Sequence, residues 1–262
     1  MSESSGPRFS IVVPVHNEAD YLAAEIAELT RDLEARRVTD YELLVAENGS
    51  SDRTAEIAEE IAAGNPRIKV LRLPVADYGA AMKAGMLAGQ GALVVNFDVD
   101  LHDVDFMLQA ADLLEGKSAN GREGETREHG HAGELGIVVG SKLVKGANDR
   151  RSFARHIISW GFTLILRVLF DPRMDDTHGM KVVRREIVQA YAPRTIMTTD
   201  LFDTELIIRA RRAGVGVRAL PVTIQEKRKP RSSIARRIPR TIKNLVKLRL
   251  ALWKEKKAGD RL

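Results

Sequence analysis

Four short aliphatic runs, Ser10 to Val15, Glu42 to Ala46, Ile68 to Leu73 and Ala92 to Phe97, alternate with stretches whose apolar residues fall at helical spacing. Strand and helix periods succeeding one another in this way predict β-α-β-α-β-α-β, an order that few architectures accept. Leu22, Ile26, Leu29 and Leu33, at spacings of four, three and four, share one helical face, and Ile57, Ala58 and Ile61 repeat the pattern in the next helix. Runs this apolar belong between layers of helix. Right-handed crossovers then give a doubly wound, mostly parallel α/β sheet flanked by helices. Gly136 to Ser141 predicts a fifth strand continuing that sheet, Asp203 to Ala213 a helix and Val215 to Val222 a closing strand. Ile157 to Phe170 is mainly apolar but, at 14 residues, too short to cross a bilayer, and reads as a buried core helix ahead of an interfacial one. Glu115 to Glu134, rich in Gly, Glu, Arg and His and without periodicity, reads as a mobile surface loop.

The chain of 262 residues contains no Cys, which excludes disulfides, thiolate zinc sites and Cys nucleophiles and leaves carboxylate, imidazole, hydroxyl and amine chemistry. No run reaches the roughly 18 apolar residues of a membrane span, and Met1 to Phe9 lacks the apolar stretch of a signal peptide, so a cytoplasmic protein is expected. The charge is unevenly placed. Lys227 to Leu262 holds 14 Lys/Arg against Glu255 and Asp260, or +12, which leaves −7 for Met1 to Glu226 within the overall +5. A boundary is therefore expected between a body at 9–226 and a basic amphipathic segment at 227–262. Such a segment suits a polyanion or an anionic membrane surface, and an acidic body argues against a nucleic-acid-binding domain. Pro239 fits the first residue of a helix in which Ile242, Leu245, Leu248 and Leu252 form a stripe flanked by Val246 and Trp253, with Arg240, Lys243, Lys247, Lys254 and Lys257 supplying charge. That stripe either docks the protein peripherally at the inner face of a membrane or packs on the body or on a second copy, as a homo-oligomer would require.

In open α/β sheets ligands sit outside the carboxyl ends of the strands. Three of those ends are polar: Pro14-Val15-His16-Asn17-Glu18, Glu47-Asn48-Gly49-Ser50-Ser51-Asp52 and Asp98-Val99-Asp100-Leu101-His102. Asp52 and Asp103 could serve only as helix caps and Gly49 as a turn residue. Carboxylates converging on one rim, however, repel one another unless a cation lies between them. Oxygen ligands without Cys point to Mg2+ or Mn2+, which takes one or two carboxylates and completes its shell with water and substrate phosphate. His129, His131, His156 and His178 have no ligand partner at zinc spacing. Walker A, Gly-x-Gly-x-x-Gly after a strand and Gly-x-Ser-x-Gly are all absent, which leaves a nucleoside diphosphate-sugar as the best-fitting substrate.

Pro-x-x-Asn-Glu after the first strand, a Gly-Ser turn before an Asp-headed helix and Asp-x-Asp near residue 100 together resemble a family 2 glycosyltransferase of GT-A fold, in particular the polyprenol- and dolichol-phosphate mannose synthases. The similarity runs from about Phe9 to about Ser233. It implies that Pro14, His16, Glu18, Glu47 and Asp52 line the nucleotide-sugar pocket, that Asp100 ligates the metal with His102 as a further ligand, and that Asp98 neighbours the sugar. Gly140-Ser141-Lys142 resembles the family's Gly-Ser-Arg, and Arg155 with Ser159 its Arg followed by Ser, implying an acceptor-phosphate site. Gly179-Met180-Lys181 is similar to Gly-Phe-Lys, and Phe202-Asp203-Thr204-Glu205-Leu206 to Phe-Asp-x-Glu-Leu. Arg228 to Ser232 stands where the family has Arg-x-x-Gly-x-Ser, with Arg228 and Ser232 toward the acceptor, but Pro230 and Arg231 leave no Gly there.

The resemblance implies an inverting transfer of a hexose, mannose from GDP-mannose, to a polyprenyl phosphate. The alternatives are UDP-glucose as donor, or a membrane-associated sugar-nucleotide-binding protein without turnover. A phosphate monoester is mostly ionised at neutral pH and needs no base, whereas a hydroxyl acceptor would call on a carboxylate such as Asp203.

Overall fold

The computed structural model describes residues 6–117, 134–142, 144–145, 147–149, 153–174, 177, 179–224 and 234–259, with backbone alone at 148–149, 153–157, 200, 224, 234–237 and 258–259. Elements follow in the order β1 (Phe9–Val15), α1 (Leu22–Ala35), β2 (Tyr41–Asn48), α2 (Thr54–Gly64), β3 (Ile68–Leu73), α3 (Tyr78–Ala88), β4 (Leu93–Asn96), α4 (Val104–Leu114), β5 (Leu135–Ser141) and β6 (Asn148–Asp149). The second half continues with α5 (Phe153–Leu169), β7 (Lys181–Arg184), α6 (Arg185–Tyr191), α7 (Phe202–Arg212), β8 (Gly216–Pro221), β9 (Thr223–Ile224) and α8 (Ile234–Gly259). Short 3-10 turns at Ala192–Arg194 and Thr199–Leu201 link α6 to α7. Most of the loop expected at 115–134 lies outside the described residues.

Among the described residues one sheet has seven strands in the order β3-β2-β1-β4-β7-β5-β8. β1 to β4 pair in parallel as expected. Strand period two divides β1 between the faces: Ile11, Val13 and Val15 enter one core with Leu22, Ile26, Leu29 and Leu33 of α1, whereas Val12 enters the other with Met82 and Met86 of α3. The second half departs from expectation. β5 does not pair with β4, because β7 lies between them, antiparallel to both. Two reversals restore the direction, so β5 and its parallel partner β8 run with the first four strands. All six carboxyl ends therefore share one rim, and β7 begins at that rim with Lys181. A four-residue strand opening on a lysine carries too little alternation to be read from sequence.

Two helices also differ from expectation. α5 buries Leu166 and Thr163 but exposes Trp160, Leu164 and Val168 at successive spacings of four, so it is a surface helix and not a core one. α8 begins at Ile234, which places Pro239 inside the helix and deprives the Ala235 carbonyl of its N–H partner. Of the stripe expected on α8, Leu245, Leu248 and Leu252 are buried in the second core and only Ile242 is exposed. The charge boundary at 226/227 is thus no boundary in packing.

Buried charges tie α8 to the body. Arg209, 8% exposed, donates through Nε to Glu205 at 2.7 Å and through both terminal nitrogens to Glu255 of α8 at 2.9 and 3.0 Å. The other Glu205 oxygen accepts the main-chain N–H groups of Ile196 at 2.9 Å and Met197 at 2.6 Å. Arg209→Ala is expected to lower stability by about 3–5 kcal/mol, because Glu205 stays buried without its countercharge. Glu255→Gln, at a side chain 53% exposed, should cost less than about 1 kcal/mol. Urea denaturation of the two variants checks this ordering, and equal costs would refute it.

Candidate active site

The loops after β1 and β2 form one hydrogen-bonded unit. Asn17 adopts φ 54°, donates its main-chain N–H to Ser50 Oγ at 3.0 Å and accepts the Ser51 N–H at 2.8 Å. Glu18 N–H reaches Thr54 Oγ1 at 2.7 Å. Asp52 accepts the N–H groups of Ala19 at 3.2 Å and Thr54 at 3.0 Å, and although burial opposes ionisation, these bonds and the Thr54 hydroxyl hold its carboxyl below the ordinary range. Glu47, 2% exposed, closes the turn by accepting Ser50 N–H at 2.6 Å. Gly49 within that turn has φ 60°, and a Cβ there would stand 2.9 Å from the Val75 and Ala76 backbone. Glu47 and Asp52 therefore brace these two loops, with carboxylates bonded to main-chain donors. His16 Nδ1 lies 2.8 Å from the Asn48 carbonyl oxygen. A carbonyl only accepts, so Nδ1 carries the proton and Nε2 can accept from Asn17 Nδ2 at 3.3 Å. Pro14 is buried in β1 directly below these loops.

Beyond β4 the chain turns tightly, with Leu101 N–H bonded to the Asp98 carbonyl at 3.1 Å, which keeps Asp98 and Asp100 together at the rim. Asp98 Oδ1 accepts the Tyr78 hydroxyl at 3.0 Å. Burial, with the charges of Asp100 and Asp203 adding to it, pushes the Asp98 carboxyl above its ordinary range against the pull of Tyr78 and Lys181. Beneath lies a second charged pair. Lys181 is fully buried, and its Nζ donates to Asp203 Oδ2 at 2.7 Å and to the Gly179 carbonyl at 2.7 Å. Asn96, opposite Lys181 in the β4–β7 register, lies 3.4 Å from the same Asp203 oxygen through Nδ2. Asp203 is only 4% exposed, and a general base must come within hydrogen-bond reach of its substrate. Its Oδ2 supports Lys181, while its Oδ1 is buried without a hydrogen-bond partner among the described residues.

His102 departs from the role expected of it. Its side chain, 4% exposed, has Nε2 3.6 Å from Asp32 of α1 and packs near Phe97. Asp100 and Asp98 are the carboxylates at this rim that could hold a cation, and no group of three potential ligands gathers among the described residues. Two hard carboxylate groups at an open rim fit Mg2+ or Mn2+ whose remaining ligands are water and phosphate. Lys142 directly follows β5 at the same rim. Arg155 and Ser159 lie four apart on α5, one turn from each other. Arg228 and Ser232 fall outside the described residues.

Sequence reasoning missed Asp77, Tyr78 and the pairing role of Lys181. Asp77 caps α3 by accepting Ala80 N–H at 3.0 Å, accepts Thr199 N–H at 2.7 Å, and donates its own N–H to Asn48 Oδ1 at 2.6 Å. One residue, through its main-chain N–H and its carboxylate, thus joins the turn after β2 to the loop before α7. Gly79 lets that loop approach, since a Cβ would stand 2.4 Å from the Thr199 carbonyl oxygen. An Asp followed two residues later by Gly at a helix start was the available signal.

Residues 10–110 match the family model described as Glycosyl transferase family 2. The chain is 28% identical over 230 residues to Glycosyltransferase AglD of Haloferax volcanii, covering 86% of this chain but only 34% of that protein. It is 27% identical to the dolichyl-phosphate beta-glucosyltransferase ALG5C of Trichomonas vaginalis, over 96% of this chain and 74% of the relative, and 26% identical to the dolichyl-phosphate beta-glucosyltransferase of Dictyostelium discoideum, over 94% and 76%. Among solved structures, glucosyl-3-phosphoglycerate synthase from Mycobacterium tuberculosis, in complex with Mn2+, UDP-glucose and phosphoglyceric acid, superimposes with TM-score 0.63 at 20% identity, over 94% of this chain and 81% of that one. Mannosyl-3-phosphoglycerate synthase from Rubrobacter xylanophilus gives 0.61 at 19% identity, over 98% and 76%. These likenesses establish a GT-A-like α/β fold. Residues 10–110 thus match a glycosyl transferase family 2 domain, and along most of its length the chain is similar to glycosyltransferases.

Proposed function

We propose that the protein transfers glucose from UDP-glucose to a polyprenyl phosphate with inversion at the anomeric carbon, using Mg2+ or Mn2+. The observation that carries this reading is the Asp98–Asp100 turn at the carboxyl rim, next to the wall built by the β1 and β2 loops. Mannose from GDP-mannose, expected from the sequence, gives way to glucose because the dolichyl-phosphate relatives are named for glucosyl transfer.

The cation, held by Asp100 and Asp98, would supply positive charge to the departing diphosphate. His16, Glu18 and Pro14 bound the nucleotide, while Glu47 and Asp52 keep the wall rigid. Lys142, with Ser159, receives the acceptor phosphate, and the sequence resemblance assigns Arg155, Arg228 and Ser232 to the same phosphate. A guanidinium grips phosphate in two places and an ammonium adds a point charge. The acceptor oxygen bonds to the anomeric carbon as the sugar–diphosphate bond breaks, and its electron pair leaves on the nucleoside diphosphate. A phosphate monoester's second pKa of about 6 leaves that oxygen ionised, so no base is needed. Locking Asp203 to Lys181 agrees with this.

The test follows labelled sugar from UDP-glucose or GDP-mannose into polyprenyl phosphate or 3-phosphoglycerate, with Mg2+ or Mn2+ present. Glucosyl lipid should form, and Asp100→Asn should slow it about 100-fold or more. Label passing only from GDP-mannose would overturn the donor assignment, and label passing only to phosphoglycerate the acceptor assignment. Lys142→Ala should raise the KM for lipid phosphate about tenfold, as loss of one charged hydrogen bond implies, while leaving the Kd for UDP-glucose unchanged. Calorimetry with UDP-glucose checks the second half of that statement.

A further inference from the structure

No described helix is long and apolar enough to cross a membrane. α8 nevertheless carries two apolar faces. The first, Leu245, Leu248 and Leu252, is buried against the body. The second, Ile238, Ile242, Val246, Leu250 and Trp253, runs at spacings of four, four, four and three and is 42–53% exposed. At 3.6 residues per turn the two faces are centred roughly 110° apart, so the helix presents the second while the first stays packed. The exposed stripe is roughly 22 Å long.

Its flanks are basic. Lys243, Lys247 and Lys254 project along one edge and Arg249 and Lys256 along the other, all exposed. Lys257 Nζ lies 4.0 Å from the centroid of the Trp253 ring. The only acidic residue of α8, Glu255, is turned to the body and bonded to Arg209. This arrangement selects among occupants. A second copy of the same face would set basic edges against basic edges, and a nucleic acid would leave the aliphatic stripe without a counterpart. An anionic bilayer answers both features, with acyl chains for Ile, Val and Leu, the interface for Trp, and headgroup phosphates for Lys and Arg.

We propose that the exposed face of α8 docks the protein in the plane of an anionic lipid surface, with Ile242, Val246, Leu250 and Trp253 entering the headgroup boundary. The face is not the stripe that periodicity selects, because the body already covers most of that one. The inference goes beyond the transfer reaction and does not rest on it, since lipid binding is read without donor or acceptor.

The test is co-sedimentation of the full chain with phosphatidylcholine vesicles prepared with and without phosphatidylglycerol. The protein should pellet with the phosphatidylglycerol vesicles, less so at high salt, and remain in solution with phosphatidylcholine alone. Reversing Lys243, Lys247 and Lys254 to Glu should lower partitioning on the order of a hundredfold or more, as about fivefold per lost charge implies. Val246→Asp with Leu250→Asp should also abolish pelleting, with the thermal midpoint retained because both sites are exposed. In a Trp160→Phe background, Trp253 emission should shift to the blue only with phosphatidylglycerol vesicles. Pelleting that survives both sets of substitutions, an unshifted Trp253, or a dimer that the aspartates dissociate while vesicles stay unbound would each overturn the proposal.

Discussion

A lysine with no solvent exposure stands where the one antiparallel strand enters an otherwise parallel sheet. An ammonium cannot remain there without a countercharge, because losing its water costs several kcal/mol. Asp203 supplies that charge from the start of α7, and the Gly179 carbonyl supplies a second acceptor. The pair thereby fixes three things together: the register of β7 against β4, the approach of α7 to the rim, and the floor beneath Asp98. Apolar residues could fill the same space at less desolvation cost. The ion pair instead places charge beside the Asp98–Asp100 turn, where the proposed function puts the charged donor.

A similar economy governs the donor side. Glu47 and Asp52 spend their acceptors on main-chain N–H groups of neighbouring loops, and Asp77 does the same between two halves of the molecule. Carboxylates satisfied in this way have fewer lone pairs left for a metal. They do hold loops that have no strand or helix to order them. The site is thus acidic in composition, yet the proposed function draws only on Asp98 and Asp100 for the cation.

Through Glu205, Arg209 and Glu255 the last helix is connected to the segment at Ile196 and Met197, which leads to Thr199 and its bond to Asp77. The basic end of the chain is therefore built into the catalytic body. The exposed face of α8 is held at a defined angle to the rim because the buried face cannot rotate out of the core without breaking that chain of charged bonds.

Period-two and period-3.6 patterning were sufficient for β1 to β4 and the helices between them, because each of those elements is defined by its own apolar face. The polar strand ends were legible for a related reason: a parallel sheet sends every carboxyl end to one rim, so Asp98, Glu47 and His16 had to meet. Pairing across long sequence distances was not legible. Lys181 and Asp203 each stand in a recognisable motif but do not read as partners until the fold brings them together, and His102 reads as a ligand until Asp32 of α1 is placed beside it. The faces of α8 show the same limit. The sequence by itself determined that the helix is basic and amphipathic, since composition and spacing are local properties. Only the tertiary structure decided which of its two apolar stripes meets the body and which meets solvent, because burial belongs to the surface a helix packs against.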